Sequence, residues 1–331
     1  MQEMWTILRI LNWTKAYFED KGIESPRLDA ELLLCAVLGM RRIDLYTHFD
    51  QPLEKEELAA YRGYVMRRAK REPVAYILGE KGFLDYTFAV TADTLIPRPE
   101  TELLVEKILA VTADGPLDIL ELGVGSGAIL ISLLLKRKEA QGLGVDISEG
   151  AVAVARKNAK NLGVTDRSEI IVSDLFEKVP EGRKFDLIVS NPPYIPKKDL
   201  AGLSPEVRKE PLGALDSGED GLDFYRRIVR EGMAYLKEDG LFAFEVGIGE
   251  GAAAADLLVQ NGCGAARVFL DYAGIDRMVL AAKEGTTYAD KIMETGNYAG
   301  PSLSGSGRLD PEWGSCRIPD GNGLRPWGQW P

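Results

Sequence analysis

Leu117-Asp118-Ile119-Leu120-Glu121-Leu122-Gly123-Val124-Gly125-Ser126-Gly127 is an apolar run that ends in three alternating glycines, and Ile129 to Leu135 follow it at helical spacing. It reads as a buried strand, a sharp glycine turn and a helix. Glycine suits such a turn because backbone without a Cβ can bend tightly and lie close to a ligand. Gly142-Leu143-Gly144-Val145-Asp146-Ile147 reads as a second strand ending in an acid, Asp146, nineteen positions after Gly127 and placed to accept from both hydroxyls of a ribose. The pair points to a nucleoside. The glycines alone do not say which one, since Gly123, Gly125 and Ala128 also satisfy a loose dinucleotide fingerprint.

Two further strands extend the pattern. Glu169-Ile170-Ile171-Val172-Ser173-Asp174 ends in another acid and runs into Leu175-Phe176. That acid has two readings, a ligand for an adenine amino group with the apolar pair covering the ring, or a turn cap. Phe185-Asp186-Leu187-Ile188-Val189-Ser190 is a core strand stopped by Asn191-Pro192-Pro193-Tyr194-Ile195-Pro196. Proline after Asn191 pushes it toward extended geometry, and prolines without an N–H leave their carbonyls free to accept. With the flat face of Tyr194, this corner suits a small planar group bearing an NH2. A proline-rich strand exit with no chemistry is the plainer reading of the same residues.

Composition bounds the chemistry. The chain has 331 residues, 45% of them apolar and 27% charged, enough for two domains. There is no apolar run of membrane-spanning length, and the amino terminus lacks a basic flank before an apolar core, so a cytoplasmic protein without a signal peptide is expected. Cys35, Cys263 and Cys316 lie far apart and His48 is the single histidine, so neither a disulfide framework nor a metal site is expected. A catalytic histidine is not expected either: His48 sits among Tyr46, Thr47 and Phe49 in a structural setting. A net charge of −11 disfavours a phosphate backbone as partner.

The flanks complete the layout. From Trp5 to about Arg71, apolar residues such as Ile7, Leu11, Leu33, Tyr61 and Val65 recur at helical spacing and predict a bundle of four or five short helices. Arg62, Arg67, Arg68, Lys70 and Arg71 form the densest basic cluster, either a solvated helix face or a docking surface. Residues 76–97, with Phe83, Tyr86, Phe88 and Val90, predict a β-hairpin linker. It leads through Pro97-Arg98-Pro99 to a helix start, and Arg98 could form one wall of a pocket. After the fourth strand come Gly240 to Val246, Arg267 to Leu270 and Asp276 to Ala281, the last two separated by a short connection. The expectation is an α/β fold, a mostly parallel sheet ending in an antiparallel hairpin. Glu245 falls at the end of a strand on the edge occupied by Asn191, to line a pocket or to pair structurally. Beyond Gly285 periodicity fades and a disordered tail is expected. The domains are thus 1–75 helical, 76–97 hairpin linker, 98–283 catalytic and 284–331 tail.

A glycine turn, acids after the second and third strands and Asn191-Pro192-Pro193-Tyr194 after the fourth together resemble the class I methyltransferases that use S-adenosylmethionine. The Asn-Pro-Pro-Tyr motif is similar to that of enzymes acting on planar amino or amide nitrogens. Glu72 to Gly79, Leu95 to Glu102 and Asp271 to Val279 narrow the resemblance to the PrmC/HemK family, the peptide chain release factor glutamine methyltransferases. It covers roughly residues 1 to 283. The resemblance implies that Gly123, Val124, Gly125, Ser126, Gly127 and Asp146 hold the methionine and ribose parts of the cofactor. Asp174 and Leu175 would lie near its adenine, and Asn191 would border it. Asn191, Pro192, Pro193 and Tyr194 would hold the substrate, the glutamine of the Gly-Gly-Gln loop of class 1 release factors, with Asn191 and Pro192 catalytic. It also implies that the basic helix and amino-terminal domain help dock a large protein. An amino-group methyltransferase acting on DNA or RNA shares the loop but would need a broader basic face. A dinucleotide oxidoreductase explains Gly123 to Asp146 and leaves Asn191 to Tyr194 without a purpose. A noncatalytic binding module remains the most distant alternative.

Overall fold

The computed structural model describes residues 4–295. Five helices open the chain: α1 (Ile7–Asp20), α2 (Pro26–Leu38), α3 (Arg42–Thr47), α4 (Lys55–Ala69) and α5 (Val74–Leu78). Their boundaries follow from local chemistry. The Thr6 hydroxyl accepts from the Arg9 N–H to cap α1, Pro26 starts α2 where its missing N–H costs nothing, and Gly39 ends α2 at φ 64°. Ile7, Ile10, Phe18, Leu33, Leu34 and Val65 are buried, as is Tyr61, whose hydroxyl donates to the Ala30 carbonyl at 3.1 Å. The expected count of four or five helices holds.

The basic cluster on α4 is largely committed inside the molecule. Arg67 pairs with Glu72 at 2.5 Å, buried Arg68 pairs with Asp29 at 2.7 Å and with Glu206 at 2.9 Å, and Arg71 meets the same Glu206 at 2.9 Å. Arg67 also donates to the Tyr76 and Ile77 carbonyls of α5, so three of the five cations are tied to α2, to α5 or to Glu206 far along the chain, which argues against both a freely solvated face and a basic docking surface built on them. For Arg68 and Arg71 the reason is topological: Asp29 and Glu206 are brought in by tertiary folding, whereas Glu72 is local to Arg67.

The predicted linker hairpin forms as β1 (Glu80–Phe83) paired antiparallel with β2 (Tyr86–Ala89). Beyond it come α6 (Pro99–Val111), β3 (Asp118–Leu122), α7 (Ala128–Lys136), β4 (Gln141–Asp146), α8 (Glu149–Asn161), β5 (Ser168–Val172), β6 (Phe185–Ser190), α9 (Asp223–Gly232), β7 (Leu236–Glu245), α10 (Gly251–Gln260), β8 (Ala265–Leu270), β9 (Asp276–Ala282) and α11 (Thr287–Glu294). The seven-stranded sheet has the order β5-β4-β3-β6-β7-β9-β8, in which β5 through β7 run parallel and β9 pairs antiparallel with both β7 and β8. The terminal hairpin is present, and β9 inserts between β7 and β8.

Both sheet faces are covered, as a parallel sheet requires. Ile119 and Leu187 point to one side, where they pack with Leu104 and Ile108 of α6 and with α7 and α8. Leu120 and Ile188 point to the other, against Tyr225 and Val229 of α9 and Leu258 of α10. Alternation along each strand thus supplies two separate cores. Helix α11 is a correction. It falls within the stretch expected to be a tail, yet Ala289 and Ile292 are buried and Arg267 donates to the Met293 carbonyl at 2.7 Å. Residues 296–331, the rest of the expected tail, lie outside the described residues.

Candidate active site

Strand order reverses between β3 and β6, because the chain winds outward from β3 through β4 and β5, then returns to the other side through β6 and β7. In open α/β sheets the crevice beyond the carboxyl ends of strands at such a switch is where ligands bind. A cavity of about 350 Å³ lies there. Its walls include Gly123 and Gly125 after β3, Asp146 after β4, Asp174 after β5 and Asn191 after β6.

The glycine turn works through backbone geometry. Gly123, Gly125 and Gly127 have φ of 73°, 52° and 82°, which L side chains rarely adopt. Gly127 does not line the cavity. A Cβ there would come within 2.7 Å of the Ile131 side chain and 3.4 Å of Ala155 of α8, so the missing Cβ lets the start of α7 pack against α8. Asp146 braces the turn: its Oδ2 accepts from the Gly125 N–H and its Oδ1 from the Ser148 N–H, each at 2.9 Å. Burial raises its carboxyl above the ordinary value, and those N–H groups pull it back. The Ile147 N–H also acts on this carboxylate, and since each oxygen has two acceptor sites, capacity remains for a ribose hydroxyl.

At the third strand end, Ser173 Oγ donates to the Leu175 carbonyl at 3.0 Å and holds Leu175 at φ 47°. A left-handed backbone at a bulky residue is costly and tends to persist where the surroundings impose it, as at a binding site. Asp174 Oδ1 accepts from Arg227 at 3.0 Å, and both line the cavity with Phe224 of α9. Sequence reading missed Phe224 and Arg227, because only folding brings α9 over this strand end.

The loop after β6 carries the densest chemistry. Asn191 Nδ2 donates to Thr101 Oγ1 at 3.2 Å, and Thr101 Oγ1 donates to Glu245 Oε2 at 2.6 Å. Thr101 is in the first turn of α6 and Glu245 ends β7, so three elements meet at one amide. Burial pushes the Glu245 carboxyl up to about 7, opposed by the Thr101 hydrogen bond, Arg277 and the Asn191 amide, and assisted by Glu100. Glu245 therefore pairs inside the site, the structural one of its two readings. On the facing wall, Arg98 pairs with buried Glu210 at 2.5 Å, and the Ile96 N–H donates to the other Glu210 oxygen at 3.0 Å. Leu95, Pro97 and Arg98 line the cavity with Pro211 and Ala214, so the proline-rich approach does form a wall.

Two families match the chain, "PrmC N-terminal domain" over residues 9–79 and "Methyltransferase small domain" over residues 99–204. A release factor glutamine methyltransferase of Geobacter sulfurreducens is 48% identical over 278 residues, spanning 84% of this chain and 96% of that protein. The chain belongs to the release factor glutamine methyltransferase family. A second relative of that name, from Caulobacter vibrioides, is 41% identical over 282 residues, 84% of this chain and 97% of that protein. The fold is accordingly the class I methyltransferase fold preceded by a helical domain.

For a member of the release factor glutamine methyltransferases, most of the residues singled out by sequence come together. Gly123, Val124, Gly125, Ser126, Asp146, Asp174, Leu175, Asn191, Pro192 and Pro193 share the cavity wall. Tyr194 does not; it packs against the apolar cluster that also holds Tyr225 and Phe244. Thr101 had no signal in the sequence beyond its place after Pro99-Glu100 at a helix start.

Proposed function

We propose that this chain transfers a methyl group from S-adenosylmethionine to the side-chain amide nitrogen of the glutamine in the Gly-Gly-Gln loop of class 1 peptide chain release factors, in the cytoplasm. The observation that carries the reading is the orientation of Asn191: its amide nitrogen is held on Thr101, which leaves its oxygen as an acceptor at the cavity.

An amide nitrogen is a poor nucleophile because its lone pair is conjugated, a resonance reflected in the roughly 18–20 kcal/mol barrier to amide rotation. Two acceptors on the amide hydrogens answer this. The Asn191 oxygen takes one hydrogen and the Pro192 carbonyl the other, which aims the nitrogen and stabilises the positive charge that develops on it. Pro192 has no N–H to compete for those acceptors, and Pro193 keeps the corner rigid. Neither acceptor has to change its protonation state for the bond to form, and the methylated nitrogen afterwards releases one proton to water.

The cavity fits the cofactor's parts. Asp146 would present its remaining acceptor capacity to a ribose, and the wall has no Cβ at Gly123 and Gly125, where the methionine portion would lie. Asp174 and Leu175 would border the adenine. When bound, S-adenosylmethionine supplies a sulfonium methyl as the electrophile. The partner is a protein and not nucleic acid on this reading, in keeping with a net charge of −11 and with Arg67, Arg68 and Arg71 paired to carboxylates.

The test is peptide mapping of a release factor after incubation with the chain and S-adenosylmethionine. One added methyl on the glutamine of the Gly-Gly-Gln peptide is expected. Modification of a different residue, or of none, contradicts the assignment.

A further inference from the structure

Asparagine is ambiguous as a catalytic acceptor. Its two amide ends are alike in shape, and rotation by half a turn would present an NH2 to the substrate where an oxygen is needed. Something must choose between them, and the choice is visible in the hydrogen bonds behind Asn191.

Thr101 Oγ1 has one proton and sits 2.6 Å from Glu245 Oε2; when that carboxyl is ionised it can only accept, so the hydroxyl donates to it. With its proton so committed, the hydroxyl can only accept on its other side. The Asn191 group 3.2 Å away must then be the NH2. A flipped amide would set its oxygen against the Thr101 lone pairs, or would draw the proton away and strand a buried carboxylate. We propose that Glu245, acting through Thr101, is a positioning residue that sets which end of the Asn191 amide faces the cavity. This rests on the reading of Asn191 as an acceptor for the substrate amide.

The surroundings of Glu245 suit the task. It is 2% exposed, so water does not satisfy it in place of Thr101. The Tyr225 hydroxyl donates to its backbone carbonyl at 2.8 Å, fixing the strand end on which it stands. The Asn191 amide also acts on this carboxylate directly as a hydrogen-bond donor, which favours the same orientation, and Glu100 from α6, Arg277 from β9, Tyr194 from the loop after β6 and Tyr225 from α9 act on it electrostatically. Burial raises both tyrosines, which stay neutral, and Arg277 is itself paired with Asp271 at 3.0 Å.

A consequence follows for acid conditions. A protonated Glu245 can donate to Thr101, and Thr101 can then donate to Asn191. The chain of bonds reverses, the Asn191 oxygen turns inward, and the cavity is left with an NH2. The rate of methyl transfer should therefore fall as pH drops through about 7, the value to which burial raises this carboxyl.

The test uses Thr101→Val, Thr101→Ser, Glu245→Gln and Asn191→Ala in the full chain, with a release factor as substrate. Single-turnover rates from pH 5.5 to 8.5 are read beside cofactor affinity by calorimetry. Thr101→Val should lower the rate about 10- to 100-fold with cofactor affinity within about threefold, and Thr101→Ser should recover most of the loss. Glu245→Gln has no proton to lose at this position, so the acid limb of the wild type should vanish. This last readout decides the matter even where Thr101→Val fails to fold. A Thr101→Ser rate as low as that of Thr101→Val, or an acid limb unchanged in Glu245→Gln, overturns the proposal. Full activity in Asn191→Ala would overturn the underlying reading instead.

Discussion

Ser190 Oγ donates to the Leu122 carbonyl at 2.7 Å, tying the last residue of β6 to the last residue of β3. The two are also register partners, so Gly123 and Asn191 leave the sheet side by side. The glycine turn that would hold the cofactor and the asparagine that would hold the substrate are thus set by one strand pairing. Distance between donor and acceptor is fixed by the sheet, and not by either loop.

Removing the acceptor should separate chemistry from binding. Asn191→Ala is expected to slow methyl transfer by about 10²- to 10³-fold, the cost of losing one preorganised partner of a developing charge. Cofactor affinity by calorimetry should change little, because the ribose contacts lie elsewhere.

Asp146→Ala should do the reverse. A hydrogen bond to a charged group contributes about 1.5–3 kcal/mol, so cofactor affinity should weaken by at least about tenfold. The Gly125 N–H also loses its partner, which loosens the turn. At saturating cofactor the rate should return toward that of the wild type, and unchanged affinity would contradict the ribose assignment.

Glu245 should leave a mark on stability as well as on rate. Its folded-state value of about 7 lies above the ordinary 4.5, so between those limits the folded chain holds a proton that the unfolded chain releases. The contribution of Glu245 to stability is then fully present below about 4.5 and is lost as pH rises to about 7, by on the order of 3 kcal/mol. Urea unfolding of wild type and Glu245→Gln across this window checks the sign: only the wild type should show this contribution.

Arg68 ties the helical domain to the segment following the substrate loop, through Asp29 and Glu206. Arg68→Ala leaves Asp29 buried without its cation, and loss of one member of such a buried pair costs about 3–5 kcal/mol. Thermal unfolding should show a clear drop, while Lys70→Ala, which breaks none of these pairs, should leave stability near that of the wild type.

What was legible in the sequence had local causes. Strands β3, β4, β5 and β6 announced themselves by short apolar runs, and the glycines and acids at their ends marked the sheet edge where the cavity lies. Thr101 and Glu245 were not recoverable as a pair, because 144 positions separate them and only the topology joins α6 to β7. Arg68 and Arg71 looked like a surface for the same reason: nothing near them in sequence discloses Glu206. Helix α11 escaped because eight residues with two buried positions, Ala289 and Ile292, carry too little periodicity to stand out. Tyr194 completes an informative motif, yet it is partly buried against the apolar cluster beside the cavity and does not line it.

The most direct measurement is transfer of label from methyl-labelled S-adenosylmethionine by the purified chain to a release factor, beside the same factor with the loop glutamine changed to alanine and beside DNA and RNA. The account predicts label on the intact factor alone. Label on nucleic acid, or equal label on the glutamine-to-alanine factor, would contradict it.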